Sequence, residues 1–184
     1  MKKFLTAIIV SAIIIGAWMI FFVGDSESTI STNEPPTIYS MVEGLSAELG
    51  YKVTDTAKEM MKDHPEFFTN DYTTLSHDDM SFMYVYNDLL TYTEEFGDDI
   101  IFLASGDVIR KTEYDEGEFK MTTLEVLDLE NNYFYLISKN IHDDIEEGSN
   151  ISGYFVPAGK MRFVNKMKDE TDGIVGAVCL IGSN

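Results

Sequence analysis

The chain has a single cysteine in 184 residues, so it cannot form an internal disulfide bond. That residue, Cys179, lies within the apolar string of residues 174–181. Such surroundings favour a buried small hydrophobe over a reactive nucleophile. No cysteine lies directly after the apolar stretch near the N-terminus, and this excludes a lipid-modified bacterial lipoprotein.

Basic residues are also scarce, since 13 Lys and Arg stand against 32 Asp and Glu, a net charge of -19. Two of the 13, Lys2 and Lys3, precede the apolar stretch, which leaves the rest of the chain with 11 basic and 32 acidic residues, or -21. A surface this negative repels phosphate backbones and anionic lipid headgroups. We therefore expect no nucleic-acid partner. The acidic surface is either merely solvated or attracts Ca²⁺ or a basic partner.

Motifs that name a reaction are missing from the sequence. It has no Gly-x-Ser-x-Gly elbow, no His-Glu-x-x-His and no glycine-rich phosphate loop. Asp98 and Asp99 are neighbours, and adjacent strand residues point to opposite faces, so they suit a solvated turn better than a catalytic pair. The sequence predicts no enzyme, no catalytic residues, no cofactor and no cofactor-binding residues.

What the chain does have is a long hydrophobic run at its N-terminus. Lys2 and Lys3 precede an uncharged stretch over residues 4–23, and Gly24 and Asp25 end it. A helix of that length spans about 30 Å, the thickness of a bilayer's hydrocarbon core. The flanking charges predict a single-pass signal anchor in the cell membrane, with a cytoplasmic N-terminus and an extracytoplasmic C-terminal domain. The alternative is a cleaved signal, which would give a secreted protein.

Composition divides the chain into four parts. Residues 1–24 form the signal-anchor segment. Residues 25–37 are rich in Ser, Thr and acidic residues and predict a polar linker. Residues 38–96 are mostly helical in pattern, and we expect them to pack on residues 97–184, which have a β pattern.

Two helices can be placed within the helical segment. Thr54 can cap one that ends near Asp63, because His64 precedes Pro65 and a residue before proline avoids the helical region. A second helical pattern runs from Asp79 to Glu95. Its apolar stripe consists of Phe82, Val85, Tyr86, Leu89 and Leu90.

The second half of the chain changes to alternation with period two, which predicts five strands. The predicted strands cover residues 100–108, 122–127, 133–138, 151–156 and 173–181. A long acidic connection at 139–150 separates the third strand from the fourth. Three consecutive strands, a connection and two more strands match the OB-fold, a partly open five-stranded Greek-key barrel. The predicted class is therefore α+β or mainly β, with an OB-like barrel. Gly106 would allow a strong coil in the first strand and Gly153 a bend in the fourth.

Several segments strengthen this match. Residues 86–90, then 94–99 and the strand ending at 106–109, resemble the entry to small bacterial OB-type domains. Residues 146–154 resemble their fourth strand, with Gly153 and Tyr154 in reverse order, and residues 155–159 resemble the closing strand pair of membrane-anchored Gram-positive proteins of this kind. The resemblance covers roughly Tyr86 to Ile181. It implies a fold and no catalytic residues.

Two groups of residues are weak candidates for a site. Asp143, Asp144, Glu146 and Glu147 crowd one connection and could hold Ca²⁺, although their spacing is not that of an EF-hand, so we predict no metal site. His77 and His142 each begin a His-Asp-Asp tripeptide, and they would form a zinc site only if the two segments met.

The third predicted strand contains a further candidate binding surface, because tyrosines occupy one of its sides and apolar residues the other. If Phe134 and Leu136 fill the barrel, Tyr133 and Tyr135 face outward. OB-folds bind ligands around their second and third strands, where exposed aromatic rings can stack on bases or sugars. Tyr133 and Tyr135 therefore form a possible ligand face, unless the preceding helices cover them.

Together these features predict a non-enzymatic, membrane-anchored extracytoplasmic module that binds a protein or another envelope component. The first alternative is an accessory subunit of a membrane complex whose anchor helix, residues 4–23, makes specific contacts. Weaker alternatives are an envelope hydrolase that uses His77 or His142, or a Ca²⁺-binding protein.

Overall fold

The computed structural model describes residues 36–75, 80–81, 101–164 and 170–184. The chain divides into two compact units, Met1–Glu34 and Pro35–Asn184, and all the described residues belong to the second. The predicted anchor and nearly all of the predicted linker lie outside the described residues. None of the helices in the described ranges is both long and apolar enough to cross a membrane.

Two helices open the described part, α1 over Ile38–Leu49 and α2 over Asp55–Asp63. Thr54 caps α2 as predicted, because its hydroxyl oxygen accepts the Ala57 N–H at 3.3 Å. The helix ends at Asp63 before His64 and Pro65, which confirms the predicted end. Short 3₁₀ helices follow at Pro65–Phe68 and Tyr72–Thr74.

Six strands follow in the described ranges, numbered in the order of the chain. Their bounds are β1 Met80–Ser81, β2 Ile101–Glu116, β3 Phe119–Leu127, β4 Tyr133–Ser138, β5 Asn150–Val164 and β6 Glu170–Ser183. The helix predicted from Asp79 is wrong at Met80 and Ser81, which pair in parallel with the start of β2, so ladder hydrogen bonds override the local helical pattern. The rest of that predicted helix lies outside the described residues.

Strands β2 to β6 close into a barrel. The sheet runs β2-β3-β4-β6-β5, and β5 pairs again with β2. All these pairings are antiparallel except that of β4 with β6, which is parallel. A three-strand meander followed by two strands that close on the first is the arrangement of an OB-like Greek-key barrel, and the predicted fold class is confirmed at this level.

The first barrel strand, β2, pairs with two different strands along its length. Residues 102–107 pair with β5, and residues 107–116 pair with β3. A Cβ atom at Gly106 would overlap the carbonyl oxygen of Leu127, so a larger residue would push the strands apart. This close approach gives a physical reason for a glycine at this position, and the coil at Gly106 stays a prediction.

Strand β5 continues to Val164, far beyond its predicted end at Val156, whereas its partner β6 exceeds the predicted 173–181 by only a few residues at each end. Their register shifts between Pro157 and Gly159, and this bulge accommodates a proline that would otherwise interrupt the ladder. At the same place the Thr54 N–H donates to the Ala158 carbonyl at 2.9 Å. The bulge therefore fastens the loop between α1 and α2 to the barrel wall.

The buried residues form two separate hydrophobic cores. One fills the barrel and includes Phe102, Leu124, Phe134, Leu136 and Phe155. The other joins the helices to the outside of the barrel. There α1 packs toward β4, and the 3₁₀ helix at Pro65–Phe68 packs toward β6, which contributes Ala177 and Cys179 to this core. The barrel is therefore filled inside and covered on one outer face.

Candidate binding surfaces of the barrel

Aromatic rings occupy the barrel interior. The ring of Phe155 lies 5.7 Å from that of Phe134 and 6.4 Å from that of Phe102, measured between centroids. A Cβ atom at Gly176 would overlap the Phe155 ring, so the glycine makes room for that ring. Small barrels filled in this way have a packed core rather than a ligand chamber. A ligand of the described barrel therefore has to bind on its outer surface.

Tyr133 and Tyr135 lie on the outer side of β4, opposite Phe134 and Leu136, which are in the barrel core. Both tyrosines contact Phe163 of β5. Its ring stacks on Tyr133 at 5.2 Å and lies 6.4 Å from that of Tyr135. A Cβ atom at Gly173 would overlap the Phe163 ring, so this aromatic cluster depends on a glycine in β6.

Tyr135 is largely covered, because it packs against the core under the helices. Burial raises its pKa to about 12, although a hydrogen bond with Thr123 acts in the opposite direction. Next to it, the Tyr51 hydroxyl donates to the Val42 carbonyl of α1 at 2.6 Å, and burial also raises the pKa of Tyr51. Of the two predicted ligand-face tyrosines, only Tyr133 lies outside this covered cluster, and it is half-buried against Phe163.

The acidic connection between β4 and β5 places its carboxylates in solvent. Asp143, Asp144, Glu146 and Glu147 are all exposed, and Glu147 accepts the Lys111 backbone N–H at 3.4 Å. Over the described ranges, no three side chains of His, Cys, Asp or Glu come together as a metal site would require. The structure therefore does not bring the candidate Ca²⁺ ligands together.

His142, in contrast, is buried, with 3% of its surface exposed. Its Nε2 lies 2.8 Å from the hydroxyl of Ser138, which is also buried and accepts the Asn140 N–H at 3.2 Å. Burial lowers the pKa of His142, and the Lys111 charge acts in the same direction, while Asp144 and Glu113 oppose it. Ser138 and His142 have the separation of a nucleophile and its base, but a substrate cannot reach either side chain. His77, the other predicted partner, lies outside the described residues.

Lys111 fixes this connection, a role that the sequence does not reveal. Its ammonium donates to the carbonyls of His142 and Ile145 at 2.6 Å each and pairs with Glu113 at 2.6 Å. Ile145 is fully buried in the barrel core. The signal in the sequence is that Ile145 is an isolated apolar residue in an acidic connection, which indicates that its side chain is buried.

The remaining candidate is a polar surface on the side of the barrel formed by β2, β5 and β6. Its outward side chains bond to one another across the strands. Asn150 donates to Asp107 at 2.9 Å, Ser152 to Ser105 at 3.0 Å, and Asn184 to Asn150 and Ser152 at 2.7 and 3.0 Å. We call these residues and the glycine beside them the polar face: Ser105, Asp107, Asn150, Ser152, Gly182 and Asn184. The signal in the sequence is the alternation of these small polar residues with buried ones such as Ile151 and Ile181.

Cys179 is a buried free cysteine, and its environment does not favour reactivity. It is fully buried in the core between the helices and the barrel, as its apolar context predicts. Burial raises the pKa of its thiol, which keeps the thiolate fraction low. The residue acts as a small hydrophobe.

No family model and no curated protein matches the chain. Among solved structures, the chain is similar to the mitochondrial single-stranded DNA-binding protein Rim1 of S. cerevisiae, with 6% identity and a TM-score of 0.29. The match covers 46% of this chain and 91% of that one. A likeness at this level does not assign a ligand to this chain. The resemblance to membrane-anchored Gram-positive proteins stays a prediction.

The exclusion of nucleic acid is the expectation that this comparison corrects, because the matched structure is that of a single-stranded DNA-binding protein. The physical error lies in the use of net charge. A net charge of -19 describes the whole chain, whereas strand binding depends on the local surface. A charge count therefore does not decide the question.

Proposed function

We propose that the protein is a non-enzymatic, membrane-anchored binding module that presents its barrel on the extracytoplasmic side of the cell membrane. Residues 4–23 act as the anchor, and the linker at 25–37 holds the domain away from the lipid surface. The ligand or partner is a component of the cell envelope.

The observation that supports binding over catalysis is the placement of the reactive side chains. Ser138, His142 and Cys179 are all buried in the described part of the chain, whereas Ser105, Asp107, Asn150 and Asn184 of the polar face are exposed. Catalysis requires a nucleophile or base within hydrogen-bond reach of the substrate. Recognition requires only an accessible surface with well-placed polar groups.

Labelling with a membrane-impermeant maleimide in intact cells tests the location. Glu118 is exposed in the turn between β2 and β3, so the Glu118→Cys variant provides a reactive thiol on the domain surface. The wild-type chain is a matched control, because its only cysteine, Cys179, is buried. We expect labelling of the variant in intact cells and no labelling of the wild type.

Two results would count against the proposal. Labelling of the variant only after lysis would place the domain in the cytoplasm, and recovery of a shortened chain in the medium would replace the anchor by a cleaved signal. Exchange of residues 4–23 for an unrelated apolar helix then separates a simple tether, which keeps its partners in a membrane pull-down, from a specific anchor, which loses them.

A further inference from the structure

The polar face consists of two short rows that cross the strands, and a row of larger apolar residues borders it on one side. In the middle row, Ser105 pairs with Ser152 and Ser152 with Gly182. A Cβ atom at Gly182 would meet nothing within 4 Å, so the space above the centre of the face is open. The floor of the face is therefore made of small residues and is accessible.

The rows on either side differ in chemistry. On one side Leu103, with 47% of its surface exposed, pairs with Tyr154, and Tyr154 pairs with Leu180. Tyr154 and Leu180 are partly buried, because they also pack against the core under the helices. On the other side lie the carboxylate of Asp107 and the amides of Asn150 and Asn184. The surface thus combines an apolar edge with an aromatic ring, a small polar floor and an edge of hydrogen-bonding groups.

Charge restricts the class of ligand. Asp107 is the one ionisable side chain among the six residues of the polar face, in a chain with 32 acidic residues. An anion would meet the Asp107 carboxylate on the face itself, and a cation would find denser carboxylates elsewhere, such as those of Asp143 and Glu146. The ligand that fits this face is neutral and rich in hydrogen-bonding groups.

We propose that the polar face binds a neutral oligosaccharide, with the apolar side of a sugar ring against Leu103 and the exposed part of Tyr154, and its hydroxyl groups on Asp107 and Asn150. Three strands by five residues make a surface of about 10 by 14 Å, which suits a short oligosaccharide. The bonds among Asp107, Asn150 and Asn184 hold the side chains in place before binding, so little conformational entropy is lost. This inference rests on the proposed binding function and names its ligand class. It concerns a different face from the one around β3 and β4.

The test is an NMR titration of the full-length chain, ¹⁵N-labelled, in phosphocholine micelles whose headgroups contain no sugar. The probes are the neutral tetramer of N-acetylglucosamine, cellotetraose, a cationic glucosamine tetramer and an anionic galacturonate tetramer. We expect saturable shifts at the amides of Ser105, Ser152 and Gly182 with one of the neutral probes. The charged probes should give no saturable shifts at these amides.

Two variants check the assignment. Asn150→Ala removes the amide that receives a sugar hydroxyl group in this proposal, and Ser152→Gln fills the floor; each should weaken binding about fivefold or more. Glu118→Ala, at an exposed site in the turn after β2, is the matched control and should bind as the wild type does.

The proposal is overturned if neither neutral probe shifts these amides at 20-fold molar excess over about 1 mM protein, a range that covers weak binding, or if only the cationic probe binds. It is also overturned if shifts occur at Tyr133 and leave the polar face unchanged. Such results would leave the wider binding function standing, because that function fails separately if the maleimide experiment places the domain in the cytoplasm.

Discussion

Replacement of Lys111 by methionine is expected to destabilise the barrel by about 2–3 kcal/mol, the range for loss of hydrogen bonds from a charged donor together with a bare carbonyl. The Lys111 side chain is only 15% exposed, and its ammonium contacts two carbonyls and Glu113 at 2.6 Å. Methionine keeps most of the apolar stem and removes the charge. The His142 carbonyl keeps the Ile145 N–H at 3.1 Å, whereas the Ile145 carbonyl loses its lysine donor.

The assay is urea unfolding of the full-length chain in detergent at pH 7, followed by far-ultraviolet circular dichroism. Lys120→Met is the matched control, because Lys120 is half-exposed and lies 3.8 Å from the Asp115 carboxylate, an ion pair expected to contribute about 0.5 kcal/mol or less. Equal free energies of unfolding for Lys111→Met and Lys120→Met would refute the role of Lys111. A selective increase in hydrogen exchange at Ile145 in Lys111→Met would support it.

Three further predictions concern other parts of the fold. Burial lowers the pKa of His142 in the folded state, so the contribution of the neutral side chain to the free energy of unfolding should be fully present above the unfolded pKa of about 6.5. It should be lost as the pH falls from there toward the folded pKa, and His142→Gln should flatten this pH dependence in urea unfolding between pH 7.5 and 5. Gly173→Val should cost about 1–3 kcal/mol because its Cβ overlaps the Phe163 ring, and unchanged thermal stability would contradict the packing described here. Thr54→Ala should cost about 1 kcal/mol through loss of the helix cap, whereas Thr54→Ser should retain nearly all of it, as measured by thermal unfolding.

The barrel topology could be predicted because its strands alternate clearly and lie between recognisable turns. Strand β4 matches the prediction residue for residue, since the Asn131-Asn132 turn precedes it and Phe134 and Leu136 alternate inward. The end of β5 could not be placed. Pro157 is normally a strand breaker, and only the bulge paired with β6 accommodates it.

The candidate surfaces could be predicted only in part, because each depends on which strands become neighbours. Alternation places Tyr135 on the outside of β4 but does not show that α1 lies over it. Similarly, the contact of Lys111 with the carbonyls of His142 and Ile145 joins residues more than 30 positions apart. Local pattern contains no information about such pairs.

The most direct test of a barrel that binds on its outer polar face is site-specific photo-crosslinking in intact cells. Benzoylphenylalanine at Leu103, which lies at the apolar edge of that face, should form an adduct with envelope material. The same probe at Leu129, which is 97% exposed in the turn after β3, is the matched control and should form none. Equal adducts from both positions, or an adduct from Leu129 alone, would contradict the account.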